Sequence, residues 1–210
     1  MNAKVFSTTT ACIVLACGVC AAEEDASKQL GRKSGRVSMP SMTEPRTPDK
    51  GAAPVIQMSY DGNPLAVAYD PITKQVVRKD SPEPDIAIAL VYNPKERKME
   101  KPFLASKPGH AVTGVFNGKT KKVEYFQSSQ PGMGIAAVYN PDKEVVQKRE
   151  SKGKGHAIVG FYDQKQKKVV WLESPAKGQI GILHPATNKV MWKSPDLDGH
   201  PIAGVFTPSL

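Results

Sequence analysis

No cysteine lies beyond residue 20 of the 210-residue chain. The three present, Cys12, Cys17 and Cys20, sit in an N-terminal segment laid out like a secretory leader. One charge, Lys4, precedes an apolar and small-residue run from Val5 to Val19, and Glu23-Glu24-Asp25 follows. Val19-Cys20-Ala21 fits the small-x-small cleavage rule, so residues 1–22 read as a signal peptide. Val14-Leu15-Ala16-Cys17 also resembles a lipoprotein box, and membrane attachment is expected only if Cys17 is acylated. Loss of the leader removes every cysteine, which excludes disulfides, a thiol nucleophile and a thiolate metal site. The apolar run is also shorter than the ~20 residues a membrane span requires.

Catalytic signatures are missing as well. The sequence contains no P-loop, no GxGxxG, no HExxH and no GxSxG, and no close pair of carboxylates suggests an acid–base dyad. A non-enzymatic protein is therefore expected, with no catalytic residue, metal or cofactor assigned. An enzyme, such as a hydrolase, whose residues converge from distant parts of the chain remains the remote alternative. Large apolar residues are nearly absent from residues 23–53, which are polar and rich in Pro, Gly and Ser. Such a segment buries too little surface to offset its ordering entropy and reads as a disordered linker. Residues 54–210 remain as one domain, long enough for a hydrophobic core.

What is abundant is positive charge and repetition. The formal net charge of +9 favours anionic partners, although solubility is the commoner role of such an excess. Carbohydrate or another anionic envelope polymer is the expected ligand class, a protein partner is the alternative, and nucleic acid is not expected. The line "GHAVTGVF" at Gly109 returns as "GHAIVGFY" and "GHPIAGVF". Aligned on the residue that ends each apolar run, the chain repeats at Tyr69, Tyr92, Phe116, Tyr139, Tyr162, His184 and Phe206, every 22–24 residues. Each run is apolar on both strand faces, from Leu65, Ile88, Val112, Ile135, Ile158, Ile180 and Ile202 onward, as in a strand buried on both sides. An Asp-Pro, Asn-Pro or Asn-Gly type of turn follows, then a second strand of mixed polarity.

The expected fold is all-β. It has about seven β-hairpin repeats of ~23 residues, arranged as a closed antiparallel ring of propeller-like or barrel-like form. A β-trefoil is the competing arrangement. The seventh unit ends after its first strand, so Pro54–Tyr60 is expected to pair with Ile202–Phe206 and remove two open edges.

Two sets of residues stand out. His110, His156 and His200 follow a glycine at one place in three units, which suggests either a metal site or, more simply, copies of a turn. Tyr125, Trp171 and Trp192 align in the second strand, where Arg78, Gln147 and Glu100 stand in other units. Aromatic faces stack on sugar rings and cations attract acidic groups, so Tyr125, Trp171, Trp192 and Arg78 are the candidate ligand-binding residues. The competing reading makes the aromatics covers for the core edge. The turn lysines Lys74, Lys121, Lys122, Lys143, Lys167, Lys168 and Lys189 are expected to crowd one rim. The sequence thus points to a secreted or envelope-located, lectin-like binding protein, with a protein-interaction or structural module as the alternative.

Overall fold

The computed structural model describes residues 53–185 and 187–208. The leader and nearly all of the linker lie outside them. The described chain is all-β. β1 (Ala53–Met58) precedes a series of antiparallel hairpins, the first joining β2 (Leu65–Asp70) to β3 (Gln75–Asp80). In the second, β4 (Ile88–Ala89) pairs with β7 (Phe103–Leu104), and β5 (Tyr92–Asn93) with β6 (Lys98–Met99). β8 (Val112–Asn117) pairs with β9 (Lys122–Gln127), and β10 (Met133–Asn140) with β11 (Val145–Lys154). β12 (Ile158–Asp163) pairs with β13 (Lys168–Glu173), and β14 (Ile180–His184) with β15 (Lys189–Lys193). Last, β16 (Ile202–Thr207) returns to pair with β1, placing Pro54 opposite Phe206 and Met58 opposite Ile202. This is the pairing expected of the two terminal strands.

The second hairpin is broken for a chemical reason. Ala89 faces Phe103 and Tyr92 faces Met99, so Leu90 and Val91 oppose three residues, Glu100 to Pro102. Pro102 has no N–H to give the ladder, and the extra residue is absorbed as a bulge.

Each described sheet has two strands, and none closes into a barrel or propeller. Hairpins instead meet through side chains. β10 lies between β8 and β12, β16 lies between β14 and β2, and β4 lies between β2 and β8. These neighbouring first strands run the same way, because their beginnings bond together and their ends pack together. At the beginnings, Gly109 N–H donates to Asp85 O (2.9 Å), Gly132 to Gly109 (2.8 Å), Gly155 to Gly132 (2.7 Å) and Gly178 to Gly155 (2.9 Å). The φ angles there are +61° to +80°, left-handed backbone that suits glycine. At the ends, the Tyr139 ring covers Gly118 in the preceding turn, and the Tyr162 hydroxyl donates to Asp142 in the preceding turn (2.6 Å).

The turns repeat one hydrogen-bonding scheme. Oδ1 of Asp70, Asn93, Asn117, Asn140 and Asp163 accepts backbone N–H groups two and three residues on, at 2.8–3.4 Å. The turn ends on a residue with φ of +51° to +57°: Lys74, Arg97, Lys121, Glu144, Lys167 and Asn188. This pattern corrects the sequence alignment at one place. Asn188 lies five residues after Leu183, as Lys167 lies five after Tyr162, and His184 faces Lys189 as Asp163 faces Lys168. Leu183 therefore holds the anchor position, and His184 stands where the other turns have Asp or Asn.

Buried Leu65, Val67, Leu90, Val112, Val159, Ile180 and Ile182 form the inner layer. Successive hairpins are also strapped by polar side chains. Glu150 takes Ser129 N–H (2.6 Å) and Oγ–H (2.7 Å), and Glu173 takes Lys152 N–H (2.8 Å) and Gly153 N–H (3.2 Å). Gln127 takes Ser106 N–H (2.8 Å) and Oγ–H (3.0 Å) in the same way.

Candidate functional site

The four candidate residues occupy equivalent registers on four different hairpins. Arg78 faces Val67, Tyr125 faces Gly114, Trp171 faces Gly160 and Trp192 faces Gly181. Side chains alternate along a strand, so each lies on the sheet face that packs toward the preceding hairpin. Glu100 and Gln147 do not share this row. Gln147 faces Val138, and Glu100 bonds back to Val91, each one residue out of step. Glu100 instead accepts from Asn93 Nδ2 (2.6 Å), as Glu124 does from Asn117 Nδ2 (2.5 Å). On β11, Lys148 is the residue opposite Ala137 that matches Trp171 opposite Gly160.

The aromatics fill the space that glycine leaves. A Cβ at Gly114 would stand 2.7 Å from Tyr125 Cε1, and one at Gly181 would stand 2.5 Å from Trp192 Cζ3. At Gly160 it would overlap the Trp171 indole and stand 2.6 Å from Val138 Cγ2. Tyr125 also stacks on Phe103, with ring centroids 4.8 Å apart and planes 12° from parallel. Its hydroxyl reaches Lys101 O at 3.4 Å. Burial, with the Glu100 charge as a smaller cause, pushes the Tyr125 hydroxyl up to about 12. Arg78 is engaged too: Nη1 donates to Met58 O (3.1 Å) while Nε and Nη2 grip Asp80. It clamps β1 to β3.

Of the four, Trp171 lines an open groove, which sequence reasoning did not foresee as a shared site. Lys148 Nζ lies 5.2 Å from the centre of the Phe126 ring on the preceding hairpin. Arg149, the next residue, therefore points the other way, toward β13. There Arg149, Trp171 and Leu172 border a groove of about 500 Å³ that runs to Lys168 and Asp163 at the turn end. The same three residues border a second hollow of about 340 Å³ toward the connector end, with Lys152 and Glu173. Arg149 and Lys152 are exposed and Trp171 is half-buried. Both carboxylates are already in use: Glu173 holds the Lys152 and Gly153 amides, and Asp163 holds those of Lys165 and Gln166. The cations carry the groove's unassigned polar capacity. The signal for Arg149 was present in the sequence only as strand alternation combined with the order of hairpins.

The histidines have structural partners. Nδ1 of His110, His156 and His200 donates to the carbonyls of Ser128, Ser174 and Ser59 at 2.7, 2.9 and 2.8 Å. Each closes a connector against its own hairpin, and the three stand on separate connectors. Among the described residues, no three His, Cys, Asp or Glu side chains gather as metal ligands.

Comparison with protein-family models, with curated proteins and with solved structures gives no match for this chain.

Proposed function

We propose that the chain is a secreted, non-enzymatic binding protein that takes an acidic carbohydrate polymer in the open groove along β13, beside Arg149 of β11. The observation that carries this reading is the placement of Arg149 and Lys152 beside a half-buried Trp171, with Lys168 farther along the same open groove on the other face of β13. An indole presents a flat apolar face to a sugar ring, and the cations meet carboxylate or sulfate groups. Tyr125, Trp192 and Arg78 support the hairpins rather than the ligand.

The scaffold reading is a closed ring of seven hairpin units, the seventh being β1 with β16. It is supported by the contact of β16 with both β14 and β2 and by the run of glycine hydrogen bonds between connectors. It is supported further by left-handed residues at Gly62, Asp85, Gly109, Gly132, Gly155, Gly178 and Gly199, one per connector. Neighbouring first strands that run the same way suit a ring of propeller-like form better than a β-trefoil.

The test is titration with an oligouronate and with its neutral counterpart. Arg149→Glu should weaken oligouronate binding at least about tenfold, since a charge-assisted contact is lost and a repulsion gained. Equal affinity of the variant and the parent would remove the groove from the account. A protein partner is the second reading, favoured by the unpaired outer edge of β13, which can accept an added strand.

A further inference from the structure

All the net charge of the described domain resides at one end. The six turns (residues 70–75, 93–98, 117–122, 140–145, 163–168 and 184–189) hold twelve Lys and Arg against five Asp and Glu. The remaining described residues hold ten of each. All twelve turn cations are exposed, and of these twelve only Lys98 and Lys119 make an ion pair, with Glu96 and Glu144. The connectors at the opposite end, with the adjoining end of β11, carry Asp61, Glu83, Asp85, Asp196 and Asp198 against Lys107, Lys152, Lys154 and Lys177, which is close to neutral. Because neighbouring first strands begin together and end together, the turns share one rim.

Backbone conformation supplies a second, independent observation. Four of the six left-handed turn positions are cations: Lys74, Arg97, Lys121 and Lys167. Glycine adopts that conformation without steric cost, and a side chain does not. Local stability alone does not favour lysine or arginine there. A third observation is Ile72, which is 49% exposed at the tip of the first turn, beside Lys74.

We propose that the turn rim docks on a bilayer surface of anionic lipid headgroups, as a peripheral contact separate from the Trp171 groove. A ring of hairpin tips meets a plane with all its cations at once, whereas one linear polymer strand follows only part of such a ring. Long lysine side chains reach headgroup phosphates while their backbones stay outside, and Ile72 enters the boundary region. Binding of this type is electrostatic and is screened by salt.

The experiment is co-sedimentation of the full chain with vesicles of phosphatidylcholine, with and without phosphatidylglycerol. The neutral vesicles report any contribution of the N-terminal apolar segment, which every variant shares. Replacing Lys74, Arg97, Lys121 and Lys167 by Gly removes four cations at positions where glycine fits, so the fold survives; a thermal melt verifies this. Each cation near an anionic surface is worth roughly fivefold, so the quadruple variant should lose about a hundredfold or more of its binding. Trp171→Leu should bind the vesicles as the parent does, which separates this inference from the groove. Binding of the quadruple variant equal to the parent's overturns the proposal. So does equal binding to neutral and anionic vesicles, or full displacement from the vesicles by a soluble oligouronate at matched charge.

Discussion

At the scale of the residue, glycine and aromatic side chains are complementary across a hairpin. Gly114, Gly160 and Gly181 leave room that Tyr125, Trp171 and Trp192 fill. Gly160→Ala should force the Trp171 indole aside and cost about 1–3 kcal/mol, the usual range for overpacking. A chemical melt of that variant checks it. Trp192→Ala should cost roughly 3 kcal/mol, the low end for a buried aromatic, because the indole is half-buried. A loss below about 1 kcal/mol would mean that Trp192 is not a cover. Tyr125 adds a pH signature. Its folded-state value of about 12 lies above the ordinary tyrosine value of 10.0, so the folded form holds a proton that the unfolded form has lost between those pH values. Stability tied to it is present below pH 10 and falls as the pH rises toward 12. The alkaline decline measured by melts should be shallower in Tyr125→Phe than in the parent.

At the scale of the element, the hairpin is the unit that the sequence displayed most openly. Period, turn chemistry and doubly apolar first strands were all legible, because local backbone preferences and burial wrote them into consecutive residues. Register was not fully legible. Glu100 and Gln147 stand eight residues after Tyr92 and Tyr139 where Trp171 stands nine after Tyr162, and the 21-residue step from Tyr162 to Leu183 moves His184 from anchor to turn. The groove was out of reach for a related reason: Arg149 and Trp171 are 22 residues apart and meet only through face-to-face packing of neighbouring hairpins. The straps between hairpins were equally hidden, since Glu150 reads as an ordinary surface charge. Glu150→Ala should lose two hydrogen bonds to a charged acceptor, a cost of about 2 kcal/mol. Hydrogen exchange should then speed up at Ser129 more than at sites on distant hairpins. Unaltered exchange at Ser129 would mean the strap contributes nothing.

At the scale of the whole molecule, the two ends of the domain meet. β1 with β16 supplies a hairpin made from the two ends of the domain, and Arg78 fastens β1 to β3. Deleting residues 202–210 should expose the edge of β1 and uncover β2 and β14, giving a large fall in melting temperature or aggregation. An unchanged melt would contradict closure through the termini. The claim on which the functional account turns is that Trp171 contacts an acidic sugar beside Arg149. Trp192→Phe leaves Trp171 as the single tryptophan, since the chain has two. Fluorescence of that variant, titrated with an oligouronate, reports on the groove directly. The account predicts a saturable change in Trp171 emission that weakens as salt rises and is abolished by Arg149→Glu. Saturable oligouronate binding by calorimetry with no change in Trp171 emission would contradict it.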